Sequence, residues 1–347
     1  MDEWMKGYRF LILGIGILGI LGILGILEGC STKPATVERP VFQADSAYHY
    51  IEKQMSFGPR VPNSAAHMHC AVWLIEQLRA CGAEVELQKG QMPDYRGEMQ
   101  QIYNIIGHFG TAAHSPRILL GAHYDTRPWC DEEEDYSDRF YNVPGANDGA
   151  SGVGVLLEVA RQIGLRNDST TAVDIIFFDC EDMGSPRVYT GVEREDTWCL
   201  GSQLWAADYA KAVSGKGKAE SGKAENGKRK AESYQYGVIL DMVGAPDAVF
   251  PLEMYSTQYA GNYQQTIWQH AKQLGYGALF SPQQSYPITD DHYYINRIAG
   301  IPCVDIIHYD VRNATGFPAW WHTRQDNMDH ISHTTLQAVG EVVMSLL

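Results

Sequence analysis

The sequence predicts an α/β domain: a central, mostly parallel mixed β-sheet flanked by helices on both faces. Three observations carry that prediction. The chain has 347 residues, 45% of them hydrophobic, enough for one large domain with a full core once the first 29 residues are set aside. Short apolar runs rich in branched residues recur along it, as expected of strands buried on both faces. Between those runs lie stretches of helical periodicity, and this alternation is the signature of helices layered on a sheet.

The elements follow in chain order. "SAAHMHCAVWLIEQLRACG" reads as an early helix, and "RILLGAHY" as the first buried strand. "ASGVGVLLEVARQIGL" is a helix, "AVDIIFFD" a strand, "LGSQLWAADYAKAV" a helix and "YGVILDMV" a strand. "GNYQQTIWQHAKQLG" then gives a helix and "IPCVDIIHY" a last buried strand. "SGKGKAESGKAENGKRKAES", 214–233, is Lys-rich and free of large apolar residues, so it is expected as a disordered loop inserted within the domain.

The N-terminus stands apart. Phe10 to Leu27 is apolar or glycine throughout, follows Lys6 and Arg9, and leads into "EGCS". This resembles a bacterial lipoprotein signal, with Leu27, Gly29 and Cys30 at the processing positions and Glu28 in place of the usual small residue. An uncleaved anchor is the competing reading, since eighteen residues just reach the lower limit for a spanning helix. Either way the domain is expected in the bacterial cell envelope, facing the periplasm or exterior, and the lipoprotein reading ties it to the membrane through a lipidated Cys30. The division is then 1–29 signal peptide, 30–43 tether and 44–347 catalytic domain. The net charge of −15 excludes nucleic acid as the main partner, because phosphate binding needs a basic stripe. The other six cysteines lack zinc-ribbon spacing. Cys70 and Cys81, eleven positions apart on one helix, are about 16 Å distant and too far apart to pair.

The candidate chemistry collects where predicted strands end. His123 and Asp125 follow "RILLGA"; Asp179, Glu181 and Asp182 follow "VDIIFF"; Asp241 ends "GVIL"; His322 follows the last strand through a loop. Open α/β sheets build their sites at the carboxyl ends of strands. Asp148 sits in the bare stretch "VPGANDGASG". With Asp182 and His322 it offers two carboxylates and an imidazole, a set zinc accepts with a position left for substrate. Glu181, next to a ligand but not itself bound, is placed as a general acid/base.

"GAHYDT", "GANDGASGVGVLLEVAR", "FFDCED", "CLGSQ" and "LDMVG" resemble the zinc-dependent aminopeptidase superfamily in order and spacing. Within it, "ITDDHYYINRIAGIPCVDII" and "FPAWWHTRQDNMDHI" resemble the animal-type glutaminyl cyclases. That resemblance implies an aminopeptidase-like fold and one zinc ion on Asp148, Asp182 and His322. It implies Glu181 as acid/base, Asp241 and Asp291 as the acidic pair that handles the substrate's amine, and Phe317 and Trp321 as pocket walls. Trp198 takes the place of a pocket tryptophan carried elsewhere in the animal enzymes. Two departures stand out: Asp182 where the family more often has Glu, and Asp305, placed in the pocket, where the animal enzymes have His. The implied reaction converts the N-terminal Gln of peptides and proteins to pyroglutamate with release of ammonia. The alternative is a zinc aminopeptidase, in which His123 and Asp241 join Asp148 to hold a second metal. A metal-free binding module on the same fold is the third reading.

Overall fold

Apolar runs with no exposed face become central strands, and polar alternating runs become edges. The structure, a computed structural model, describes residues 39–110, 117–166, 172–192, 194–214 and 233–347. The apolar N-terminal run, Cys30 and all but the ends of the 214–233 insertion lie outside the described residues. The first half of the chain contributes helices α1 (Ala44–Met55) and α2 (Ala65–Ala80), strands β1 (Glu84–Pro93), β2 (Met99–Phe109) and β3 (Arg117–His123), helix α3 (Ala150–Arg166) and strand β4 (Val173–Phe178). The second half contributes α4 (Leu200–Val213), β5 (Tyr234–Asp241), β6 (Phe250–Leu252), α5 (Met254–Gln273), β7 (Phe280–Gln284), α6 (Asp291–Tyr294), β8 (Cys303–Ile307) and α7 (His333–Met344).

Six strands form one sheet in the order β1-β2-β4-β3-β5-β8. β4, β3, β5 and β8 run parallel, while β1 and β2 are antiparallel additions at one edge. The predicted mixed, mostly parallel sheet is therefore present, and each of the four predicted strands overlaps an observed one. Every residue of β4 is buried, because the sheet centre is covered on both sides. The larger core lies between the sheet and α1, α3, α5 and α7, and includes Ile51, Leu156, Phe177 and Val343. A second core includes Trp205 of α4, Phe178 and Ile295.

Two predicted boundaries move. Residues 39–43, assigned to the tether, pack on the domain: Phe42 is 6% exposed, and Arg39 Nη1 donates to Glu341 Oε2 at 2.7 Å. α5 begins at Met254, earlier than the periodicity indicated, with a non-helical residue at Ala260. All six described cysteines are free, including Cys70 and Cys81.

Candidate active site

The parallel strands end along one edge of the sheet, and the side chains with chemistry meet there. His123 and Asp241 close β3 and β5, Glu181 and Asp182 lie in the turn after β4, and Asp148 lies just before α3. The bare sequence around Asp148 has a steric cause. A Cβ on Gly149, whose φ is +92°, would stand 2.7 Å from the Asp125 carbonyl oxygen and 3.0 Å from His123 Cε1. One on Gly152 would stand 2.2 Å from the Leu240 carbonyl oxygen. Only glycine lets α3 start this close to the ends of β3 and β5. Asp326 fixes the loop, accepting from Asn147 N at 2.8 Å and Asp148 N at 3.1 Å. Asp125 holds the turn after β4 in the same way, through Glu181 N at 3.1 Å and Asp182 N at 3.3 Å. Asp179 turns away to His67 Nε2, 2.8 Å, and Tyr103 N, 2.8 Å, and takes no part in the site.

Asp148, Asp182 and His322 each bring one ligand atom within 4.8 Å of the others, and all three residues are buried. His322 Nε2 lies 3.3 Å from Asp148 Oδ2 and 3.3 Å from Asp182 Oδ2. Asp182 Oδ2 is buried with no hydrogen-bond partner, a costly state for a carboxylate oxygen unless a cation faces it. Nitrogen and carboxylate donors in this number suit zinc with an open position. A second cluster adjoins the first: His123 Nε2 is 3.1 Å from Asp148 Oδ1 and 3.3 Å from Asp241 Oδ1.

Asp148, Asp182, Asp241 and His322 line a cavity of about 500 Å³. Glu181, Asp241 and Asp290 face it as acids, and Trp198, Phe317 and Trp321 as aromatic walls. Trp321 stacks on the ring of His322, with centroids 3.6 Å apart, and its other neighbour Phe317 is 4.4 Å away. The Cys199 thiol donates to Glu181 Oε1 at 3.0 Å. Burial pushes the Glu181 carboxyl well above its ordinary value, and His123 only partly opposes it. Burial also takes Asp241 up to about 7 against the hydrogen bond from His123. Asp241 can therefore carry a proton near neutrality, and burial favours the protonated form of Glu181.

Two expected placements are corrected. Asp290, not Asp291, lines the cavity. Asp290 caps α6 in an extended conformation, whereas Asp291 is the first helical residue and is fully buried. Asp305 does not line the pocket either. It sits two residues before Ile307 on β8, so it lies about 6.6 Å deeper than the residue that does reach the cavity. Its Oδ2 faces His292 Nδ1 at 3.4 Å, behind Asp290.

Residues absent from the sequence reading also shape the site. Arg127 and Asp131 of "DTRPWCD" are buried against the ligand residues, and Asp326 and Cys199 fix a loop and the acid. The N-cap preference for aspartate marks a helix start in "TDDHYY", but either Asp fits it, so it does not choose between Asp290 and Asp291. The others carry no local signal. Backbone strain marks the same region: of six non-glycine residues with positive φ among the described ones, five (Cys180, Asp196, Cys199, Met242 and His322) lie in or directly beside the cavity lining.

A parallel sheet edge carrying a buried imidazole and two carboxylates, with a free acid beside them, defines a zinc-dependent enzyme of the exopeptidase type. The chain belongs to peptidase family M28, whose profile matches residues 104–347, and its cofactor is zinc. It is similar to a glutaminyl cyclase of Bacteroides thetaiotaomicron solved with N-acetylhistamine, at 42% identity and TM-score 0.79 over 88% of this chain and 98% of that one. A Zn-dependent exopeptidase from Parabacteroides distasonis is similar at 41% identity and TM-score 0.80, covering 89% of this chain and 99% of the other. Among animal proteins, a glutaminyl-peptide cyclotransferase from Bos taurus is 26% identical over 307 residues, 82% of this chain and 76% of that protein.

Proposed function

We propose that this protein is a glutaminyl cyclase, converting the N-terminal glutamine of peptides and proteins into pyroglutamate with release of ammonia. The observation that carries this reading is the aromatic lid on the metal ligand. Trp321 stacked on His322, with Phe317 beside it and Trp198 among the other cavity-lining residues, sets aromatic surface directly against the candidate ligands, where the flexible side chain of an N-terminal glutamine can pack.

The chain's own groups supply the rest. Asp241 and Asp290 accept hydrogen bonds from the substrate's α-amine and hold it in the acidic part of the cavity. The aromatic walls fold the glutamine side chain back over that amine, and such proximity supplies much of the rate. Glu181 takes a proton from the amine as its nitrogen bonds to the γ-carbon. It returns that proton to the amide nitrogen, which departs as ammonia. One zinc ion on Asp148, Asp182 and His322 supplies Lewis acidity toward the γ-carbonyl.

The sequence from Phe10 to Cys30 supports a lipid-anchored form of the protein in the bacterial cell envelope. The tethered catalytic domain would meet its substrates outside the cytoplasm.

The aminopeptidase reading rests on the His123, Asp148 and Asp241 cluster, which could take a second ion. A peptide beginning with Gln and the same peptide beginning with Leu separate the two readings. Cyclisation requires loss of one ammonia from the first, seen by mass spectrometry, with the second untouched and one zinc per chain. Release of free Leu, with two tightly held ions, would assign the protein to peptide hydrolysis.

A further inference from the structure

The stretch between β3 and the Asp148 loop buries a guanidinium that the proposed reaction does not use. Arg127 is 2% exposed. Its Nε and Nη2 donate to Asp131 Oδ1 and Oδ2 at 2.8 and 2.6 Å, a bidentate fork. Nη1 donates to Asp182 Oδ1 at 3.2 Å and to the Asp182 carbonyl oxygen at 3.3 Å. The guanidinium carbon also lies 4.8 Å from the Trp198 ring centroid. Asp131 in turn faces the outer nitrogen of the ligand histidine, with Oδ1 3.6 Å from His322 Nδ1, an ion-pair distance.

We propose that Arg127 and Asp131 are positioning residues, one brace that orients the ligands Asp182 and His322 and supports the Trp198 wall, so that zinc retention and substrate fit depend on the same guanidinium. The arrangement accounts for the short arm at Asp182. Arg127 occupies Oδ1, which leaves Oδ2, the oxygen that faces His322 Nε2 and has no hydrogen-bond partner, for the ion. A carboxylate beside the far nitrogen of a ligand histidine fixes its ring and tautomer, and loss of such a partner typically costs about 10- to 100-fold in metal affinity. Lysine cannot stand in for Arg127, because a single ammonium cannot bridge two carboxylates while lying flat against an indole.

The wall half of the proposal rests on the cyclase reading; the zinc half does not. The test uses the zinc-loaded full-length protein with Arg127→Lys and Asp131→Asn, each studied well below its melting temperature. Zinc transfer to a chromogenic chelator is followed without substrate, and kcat and KM are then measured on a Gln-initiated peptide. Both variants should release zinc about 10- to 100-fold faster than the parent. Arg127→Lys alone should also raise KM, because Asp131→Asn leaves the group under Trp198 in place. Asparagine is isosteric with Asp131, so a folded Asp131→Asn protein that releases zinc at the parent rate overturns the brace. An unchanged KM in Arg127→Lys overturns the wall half. If the peptide is cleaved instead of cyclised, the cyclase reading fails while the zinc result still decides the brace.

Discussion

Asp290 and Asp291 are neighbours in the chain, both buried, but only Asp290 lines the cavity. Asp290 shares a small space with Glu181 and Cys199, whose ligand atoms and its own lie within 4.8 Å of one another. Asp291 has both carboxylate oxygens buried without a partner, and burial, with Asp290 adding to it, pushes its carboxyl well above the ordinary value. Burial thus favours its neutral form, against a hydrogen bond from Ser202, and the amide of asparagine should replace it at low electrostatic cost. Asp290→Asn should lower kcat by about 100-fold or more, on the scale expected when a positioned proton-handling group is removed. Asp291→Asn should stay within about tenfold of the parent, a difference of about 1.4 kcal/mol in barrier. The reverse order in steady-state kinetics would restore Asp291 to the site. Of the candidate metal ligands, Asp148 was legible because it lies in a bare loop and Asp182 because it follows a buried strand, whereas His322, fifteen residues past β8, stood out through the "FPAWWHT" motif. The choice within "DD" was not legible, since it depends on which acid precedes the helix start.

Helix α5 carries the clearest consequence at the level of an element. Its N-cap is Glu253, a fully buried carboxylate that accepts from Tyr255 N at 2.8 Å, Ser256 N at 2.6 Å, Ile288 N at 3.0 Å and His292 Nε2 at 3.0 Å. It thus ties α5 to the turn that carries Asp290. Burial alone would raise this carboxyl, but the hydrogen bond and charge of His292, with the backbone donors, outweigh burial and hold it at about 2 against an ordinary 4.5. A folded value below the unfolded one means that the group stabilises the fold fully above pH 4.5, and that this contribution is lost as pH falls toward about 2. The difference corresponds to about 3 kcal/mol. Glu253→Gln should be less stable than the parent in urea at pH 7, and the gap should narrow as pH falls through that window. A gap of constant size would show that the cap acts through packing alone. Periodicity did not reveal this helix start, because the break at Ala260 separates its first turns from the regular part. Nor did it reveal the β1–β2 hairpin, since β1 has no buried residue and so lacks the apolar signature of the central strands.

Across the whole molecule, the elements next to the site are secured from the opposite end. α1, α3 and α7 pack together on one side of the sheet, and residues 39–43 cross them as a strap. Phe42 fills the space above Gly340, where an added Cβ would stand 2.3 Å from its ring. Gln337 Nε2 donates to the Phe42 carbonyl oxygen at 3.0 Å, and Gln43 N donates to Glu158 Oε1 at 3.2 Å. Arg39 reaches the Leu274 carbonyl oxygen at 2.9 Å as well as Glu341. A protein starting at Ala44 should therefore be less stable than one starting at Arg39 by about 3–5 kcal/mol, the usual cost of emptying a buried phenylalanine site. For a domain of this size that is a fall of roughly 5 to 8 °C. Turnover at 25 °C should survive, because Glu158 lies eight residues along α3 from Ala150, where the helix leaves the Asp148 loop, about 12 Å at the helical rise. Equal melting temperatures for the two truncated proteins would return residues 39–43 to the tether. Loss of turnover with no loss of stability would mean instead that the strap acts on the site through α3.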